Sequence, residues 1–172
     1  MLKKINSLLY IENDVEVREN IGEYFRNQIE NVYIEEDGLL ALETFKKHKP
    51  QVVVTDVSVP KINGIEILKR IRKISSFTQF IITTSFDDPK SLLEASNLQI
   101  INYFFKPLSI IRLEASLKLC EDKMIHFINK KKYFAKDIYF DTLKKDLYNN
   151  KKIVPLTCKE KKILQLLIKM KH

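Results

Sequence analysis

Tryptophan is absent from this 172-residue chain, and glycine (three), proline (five) and cysteine (two) are scarce. So little Gly and Pro excludes collagen-like and low-complexity classes. Cys120 and Cys158 stand alone with no Cys-x-x-Cys spacing, and His48, His126 and His172 lie far apart. Neither a disulfide framework nor a zinc site is indicated, and a reducing compartment fits. No apolar run approaches the roughly 20 residues that cross a membrane. The opening MLKKINSLLYIEND is basic, but acid at Glu12 interrupts it too early for a secretory signal. These absences predict a cytoplasmic protein with no membrane partner.

What is present is a chain 45% hydrophobic and 30% charged, with enough apolar side chains for a buried core. Its net charge of +8 is unevenly placed. Residues 1–122 hold 16 Lys and Arg against 18 Asp and Glu, whereas residues 123–172 hold 14 against four. The first part is therefore −2 and the second +10. A near-neutral part joined to a basic one points to a sensor or adaptor coupled to something that meets an acidic partner. Nucleic acid is the foremost candidate, and a solvated lysine-rich face is the plain alternative.

Five short β-branched or aromatic runs recur: SLLYI (7–11), NVYIE (31–35), QVVVTD (51–56), QFIITTS (79–85) and IINYFF (100–105). Amphipathic stretches separate them. Val15, Ile21 and Phe25 follow the cap candidate Asp14; Leu39, Leu42 and Phe45 follow Gly38; Ile65, Leu68 and Ile71 follow Gly64; Leu92, Leu93 and Ala95 follow Asp88-Pro89. Strands alternating with helices require crossover connections. The pattern therefore predicts a doubly wound α/β domain with a five-stranded parallel sheet, and VVV marks a strand buried on both faces. Ligands in such sheets sit beyond the carboxyl ends of the strands. Glu12, Asn13, Asp56, Thr84, Ser85 and Lys106 stand there: acid and amide, acid, hydroxyls, and a lysine, a set able to hold a divalent cation beside an anion.

With those residues in place, LYIENDVEVRENI, VVVTDVSVPKINGIEIL, IITTS and YFFKP resemble the receiver domain of bacterial two-component response regulators, over about residues 5–120. The resemblance implies a flavodoxin-like fold and a signalling protein rather than a turnover enzyme. It implies that Asp56 accepts a phosphoryl group from a sensor histidine kinase with Mg2+ as cofactor. It places Glu12, Asn13, Asp56 and the backbone carbonyl of Ser58 as metal ligands, Thr84 and Lys106 on the phosphoryl oxygens, and Thr84 with Tyr103 as the switch pair. Asn13 departs from the family's usual Asp and loses a full charge, which predicts weaker Mg2+ binding. Phe86 is expected to restrict water at the acyl phosphate. The competing reading is a phosphorylation-independent receiver-like module for interaction and dimerisation.

Beyond the receiver, placed at 1–122, Ile110, Leu113, Leu117, Cys120, Met124 and Phe127 repeat with heptad-like spacing, so the fifth helix is expected to reach about 130. The second half of that stripe is expected to be partly exposed and to offer a homodimer contact. Residues 130–137 read as a basic linker. Residues 138–172 then show β-rich runs with an Asn149-Asn150 turn and a Thr157/Glu160 capping box ahead of Ile163, Leu166 and Leu167. That end resembles the start of an OmpR/PhoB-type winged-helix effector. The family's recognition helix and wing come after this point, so DNA contact is expected only where the missing effector portion is present. Where such receivers carry an acidic pair before the strand-five aromatic and an arginine on helix five, this chain has Ile101, Asn102 and Ser116.

Overall fold

The apolar runs form five strands: β1 (Ser7–Ile11), β2 (Asn31–Glu35), β3 (Val52–Asp56), β4 (Gln79–Thr84) and β5 (Asn102–Phe105). The structure, a computed structural model, describes residues 5–85, 89–135, 137–142, 144–150 and 152–170, divided between two units, Met1–Glu121 and Asp122–His172. The helices between strands are α1 (Val15–Gln28), α2 (Gly38–His48), α3 (Gly64–Ile74) and α4 (Pro89–Ser96), followed by α5 (Ile110–Lys130). The strands are parallel in the order β2-β1-β3-β4-β5, so the connection reverses direction between β1 and β3. In open α/β sheets that reversal opens the crevice used for ligands.

All five residues of β3 are buried, as the VVV run predicts for a central strand covered on both faces. Leu9, Ile11, Val53, Phe80 and Ile82 from the sheet pack with Phe45 of α2 and Leu68 and Ile71 of α3. Side chains supply the helix starts: Asp14 accepts from Val17 N, Asp37 from Leu39 N and Leu40 N, and Asn63 from Glu66 N. The apolar faces are narrower than the sequence periodicity indicates, because Val15, Leu39, Leu92 and Leu93 are exposed while Ile21, Phe25, Leu42, Phe45 and Ala95 are buried. Asp88, the residue before Pro89 at the start of α4, lies outside the described residues. Arg72 ties α3 to the loops around β4. Its guanidinium lies 4.0 Å above the Phe80 ring and donates to the carbonyls of Ser76, Thr78 and Leu98.

In the second unit β6 (Lys131–Ala135), β7 (Ile138–Asp141), β8 (Asp146–Asn149) and β9 (Lys152–Val154) form an antiparallel sheet in sequence order, followed by α6 (Cys158–Met170). The stretch expected to be a linker, 130–137, thus contains a strand. Tyr133 on β6 sits opposite Tyr139 on β7, and Tyr139 opposite Tyr148 on β8, with the last two rings stacked at 4.9 Å. Such cross-strand aromatic pairs outweigh the poor strand propensity of the lysines. Asn150 takes the left-handed conformation in the β8–β9 turn, which Asn tolerates. The capping box is present: Glu160 N donates to Thr157 Oγ1, and Thr157 N to Glu160 Oε2. Ile163, Leu166 and Leu167 are exposed on α6.

The apolar stripe of α5 is buried at Leu113, Leu117, Cys120 and Met124. Met124 therefore does not offer the exposed seam expected of it, and the side chains of Phe127 and Ile128 lie outside the described residues. Among the described residues no helix is long and apolar enough to cross a membrane.

Candidate functional site

Parallel register brings four strand ends together. Asp56 ends β3 opposite Thr83, Thr84 ends β4 opposite Phe105, and Glu12 and Lys106 follow directly after β1 and β5. Backbone bonds carry the sheet one step further: Val57 N donates to Thr83 O at 3.1 Å, Lys106 N to Thr84 O at 2.8 Å and Glu12 N to Glu35 O at 3.0 Å. The Lys106–Pro107 peptide is cis.

Lys106 organises the centre. Its Nζ stands 2.6 Å from Asp56 Oδ2 and 2.6 Å from Glu12 Oε2. Glu12 is 0% and Asp56 4% exposed, so both carboxylates are withdrawn from water and need partners. Burial on its own would lower the Lys106 pKa. The hydrogen bonds to Asp56 and Glu12, with their charges, outweigh it and raise the pKa above the ordinary lysine value. The ammonium is therefore fixed and charged across the neutral range.

The remaining carboxylate oxygens are also held. Asp56 Oδ1 accepts from Ser58 N at 3.0 Å, and Glu12 Oε1 from Asp14 N at 3.2 Å. The buried Tyr10 hydroxyl donates to Glu12 Oε2 over 3.4 Å. Burial first, and then the Glu12 charge, pushes the phenol pKa upward, so Tyr10 acts only as a donor. Arg18 of α1 donates to the carbonyls of both Glu12 and Asn13 at 3.0 and 3.1 Å, pinning the β1–α1 turn. Nothing in the sequence pattern singles out Tyr10 or Arg18, because each acts through a fold contact.

Glu12, Asp56, Lys106 and Thr84 thus meet at the strand ends, with Thr84 fully buried and the side chains of Asn13 and Ser58 exposed at the rim. Two carboxylates against one ammonium leave a formal charge of −1, which a divalent cation would complement. Among the described residues no cluster of three or more His, Cys, Asp or Glu forms. An all-carboxylate cage is therefore not what these residues build. One or two carboxylates with amide and backbone oxygens and retained water suit Mg2+, so the donor set fits that ion.

Tyr103 lies half-buried on β5 against the core, its ring edge-on to the exposed Phe105 at 5.7 Å. Two of the three departures noted on this side of the domain satisfy one another: Asn102 Nδ2 donates to Ser116 Oγ at 2.6 Å, and Ser116 Oγ to Arg112 O at 2.9 Å. Leu93 and Ile111 are 70% and 81% exposed. Phe86 lies outside the described residues.

Known proteins with this arrangement are numerous. Sporulation initiation phosphotransferase F of Bacillus subtilis is 28% identical over 111 residues, covering 64% of this chain and 90% of that protein. Transcriptional regulatory protein HptR of Staphylococcus aureus is 31% identical over 96 residues, which is 56% of this chain and 36% of HptR. The chain thus spans little more than a third of that longer relative. Among solved structures, the N-terminal domain of an uncharacterized Wolinella succinogenes protein matches with a TM-score of 0.66 at 27% identity, over 72% of this chain and 98% of that one. A DNA-binding response regulator of the LuxR family from Staphylococcus aureus matches at 0.63 and 25% identity, over 68% and 99%. The model of the response regulator receiver domain matches residues 8–118, the segment that builds the five-stranded sheet and carries Glu12, Asp56, Thr84 and Lys106. This chain belongs to the response regulator receiver domain family of two-component signalling.

Proposed function

We propose that the chain accepts a phosphoryl group on Asp56 from a sensor histidine kinase, supported by Mg2+, and uses the modification as a switch. The observation that carries this reading is the partly buried Lys106 ammonium held between the buried carboxylates of Asp56 and Glu12. A carboxylate approaching phosphorus meets anion–anion repulsion, so catalysis reduces to position and charge compensation. An Asp56 oxygen forms its bond to phosphorus as the bond to the donor imidazole breaks. Lys106 remains protonated and offsets charge on the transferred oxygens, and the Thr84 hydroxyl donates to one of them. Glu12, Asn13, Asp56 and the Ser58 carbonyl would hold Mg2+, which supplies further neutralisation on the same oxygens. Receiver domains pair with histidine kinases in two-component systems, which supports the kinase as donor.

Movement of Thr84 toward the phosphoryl group would vacate space for Tyr103 and alter the surface near β4 and β5. The output follows from the basic end. Residues 123–172 carry +10, and relatives of this chain include proteins titled transcriptional regulatory and DNA-binding. The basic charge and the Thr157/Glu160 capping box ahead of α6 support residues 138–172 as part of a nucleic-acid-contacting effector of the winged-helix kind. Incubation with a small phosphodonor is expected to add one phosphoryl group, read by intact mass, only when Mg2+ is supplied. No adduct at any Mg2+ concentration would instead support the phosphorylation-independent interaction module.

Asn13 should limit the metal. A unit charge pair at 4 Å is worth about 4 kcal/mol gross at an effective dielectric of 20. Exposure of Asn13 reduces this to about 1 kcal/mol, or about fivefold. Asn13→Asp is therefore expected to tighten Mg2+ about fivefold in a calorimetric titration. An unchanged affinity removes Asn13 as the weak ligand.

A further inference from the structure

The loop from Val57 to Asn63 decides where Ser58 stands against Asp56, and the N-terminus of α2 holds that loop. Lys61 Nζ donates to Asp37 Oδ2 at 2.7 Å, while Asp37 Oδ1 accepts from Leu39 N and Leu40 N at 2.8 and 3.0 Å. One carboxylate therefore caps α2 and grips the loop. Gly38 N donates to Pro60 O at 3.1 Å. A Cβ on Gly38 would stand 2.2 Å from Ile62 O and 2.8 Å from Ile62 Cβ, so only glycine permits this approach. Lys61 itself has φ 66°, a conformation disfavoured for any residue bearing a Cβ and far easier for glycine. In this strained conformation its ammonium reaches Asp37. At the base of the loop, Gly64 N closes back on Val57 O at 2.9 Å.

We infer that the Asp37–Lys61 pair is a latch that positions the Ser58-bearing loop for chemistry at Asp56, making Asp37, Gly38 and Lys61 positioning residues for the site. The inference rests on the reading of Asp56 as phosphoacceptor. It names a role for a half-exposed lysine that contacts neither Asp56 nor Glu12. An ordinary surface ion pair would have no effect at the strand ends, whereas a latch does, because small displacements of groups around a reacting centre are costly: about 1 Å can cost a hundredfold in rate.

Lys61→Gly separates the two accounts. It removes the ammonium while relieving the backbone, so a merely structural pair leaves the variant as stable and as active as the wild type. A latch predicts an unchanged or higher Tm together with a loss of about fivefold to tenfold in the rate of adduct formation and in Mg2+ affinity, a part of that hundredfold. Deleting a cation near an acidic site would by itself favour Mg2+, so weaker binding reports position rather than charge. Lys61→Arg is expected to restore both. Lys61→Gly behaving as wild type overturns the latch and leaves the phosphoacceptor reading intact, as does joint loss of stability and activity in both variants. If the wild type takes up no phosphoryl group, the phosphoacceptor reading fails, and the Mg2+ titrations of the same proteins still decide the latch.

Discussion

Lys106→Ala is expected to slow phosphorylation of Asp56 by at least about a hundredfold, the usual cost of removing one fixed charge-stabilising donor. It is also expected to destabilise the fold at neutral pH by about 3 kcal/mol. The cause is the same for both. Glu12 and Asp56 are buried and share this ammonium at 2.6 Å each, so its removal leaves two carboxylates with no counter-charge. In the wild type the raised Lys106 pKa makes this stability depend on pH in the alkaline range: its contribution is complete below the ordinary lysine value and is lost as pH rises past the folded one. A variant with wild-type stability at pH 7 would show that Lys106 does not bear the charge of the cluster.

Gly64→Ala should be as damaging through shape alone. A Cβ there would stand 2.1 Å from Asp56 O and 3.0 Å from Thr55 Oγ1. The obstacle is the backbone of the central strand at Asp56, so either α3 or Asp56 must move. A loss of about 3 kcal/mol is expected, with a fall in phosphorylation rate. Gly22→Ala is the internal comparison, because its Cβ meets Ile34 Cδ1, the mobile end of a side chain, at 2.7 Å inside α1. Helix propensity favours Ala over Gly by about 1 kcal/mol, which offsets the repacking. Equal denaturant midpoints for the two variants would refute the close approach at Gly64.

The strands and their ends were legible because they depend on patterns of the smallest range: VVV for a strand covered on both faces, and a polar residue directly after each apolar run. The grouping of Glu12, Asp56, Thr84 and Lys106 follows from sheet order alone. Other features depend on contacts that no periodicity encodes. Lys131–Ala135 becomes a strand because Tyr133 finds Tyr139 across the ladder, which outweighs its basic composition. Met124 is buried although its position on the stripe suggested an open seam. The Asp37–Lys61 pair depends on a left-handed lysine, a backbone choice that the residue type argues against. Asn102 and Ser116, each a departure when read alone, form a hydrogen-bonded pair across β5 and α5.

The central claim is that Asp56 is the residue modified. The direct measurement is to treat the chain with a small phosphodonor and Mg2+, reduce the acyl phosphate with borohydride, and locate the converted residue by peptide mass mapping. Conversion confined to position 56, and abolished in Asp56→Asn, is the predicted result. Conversion at any other carboxylate, or an adduct that survives in Asp56→Asn, would contradict the account.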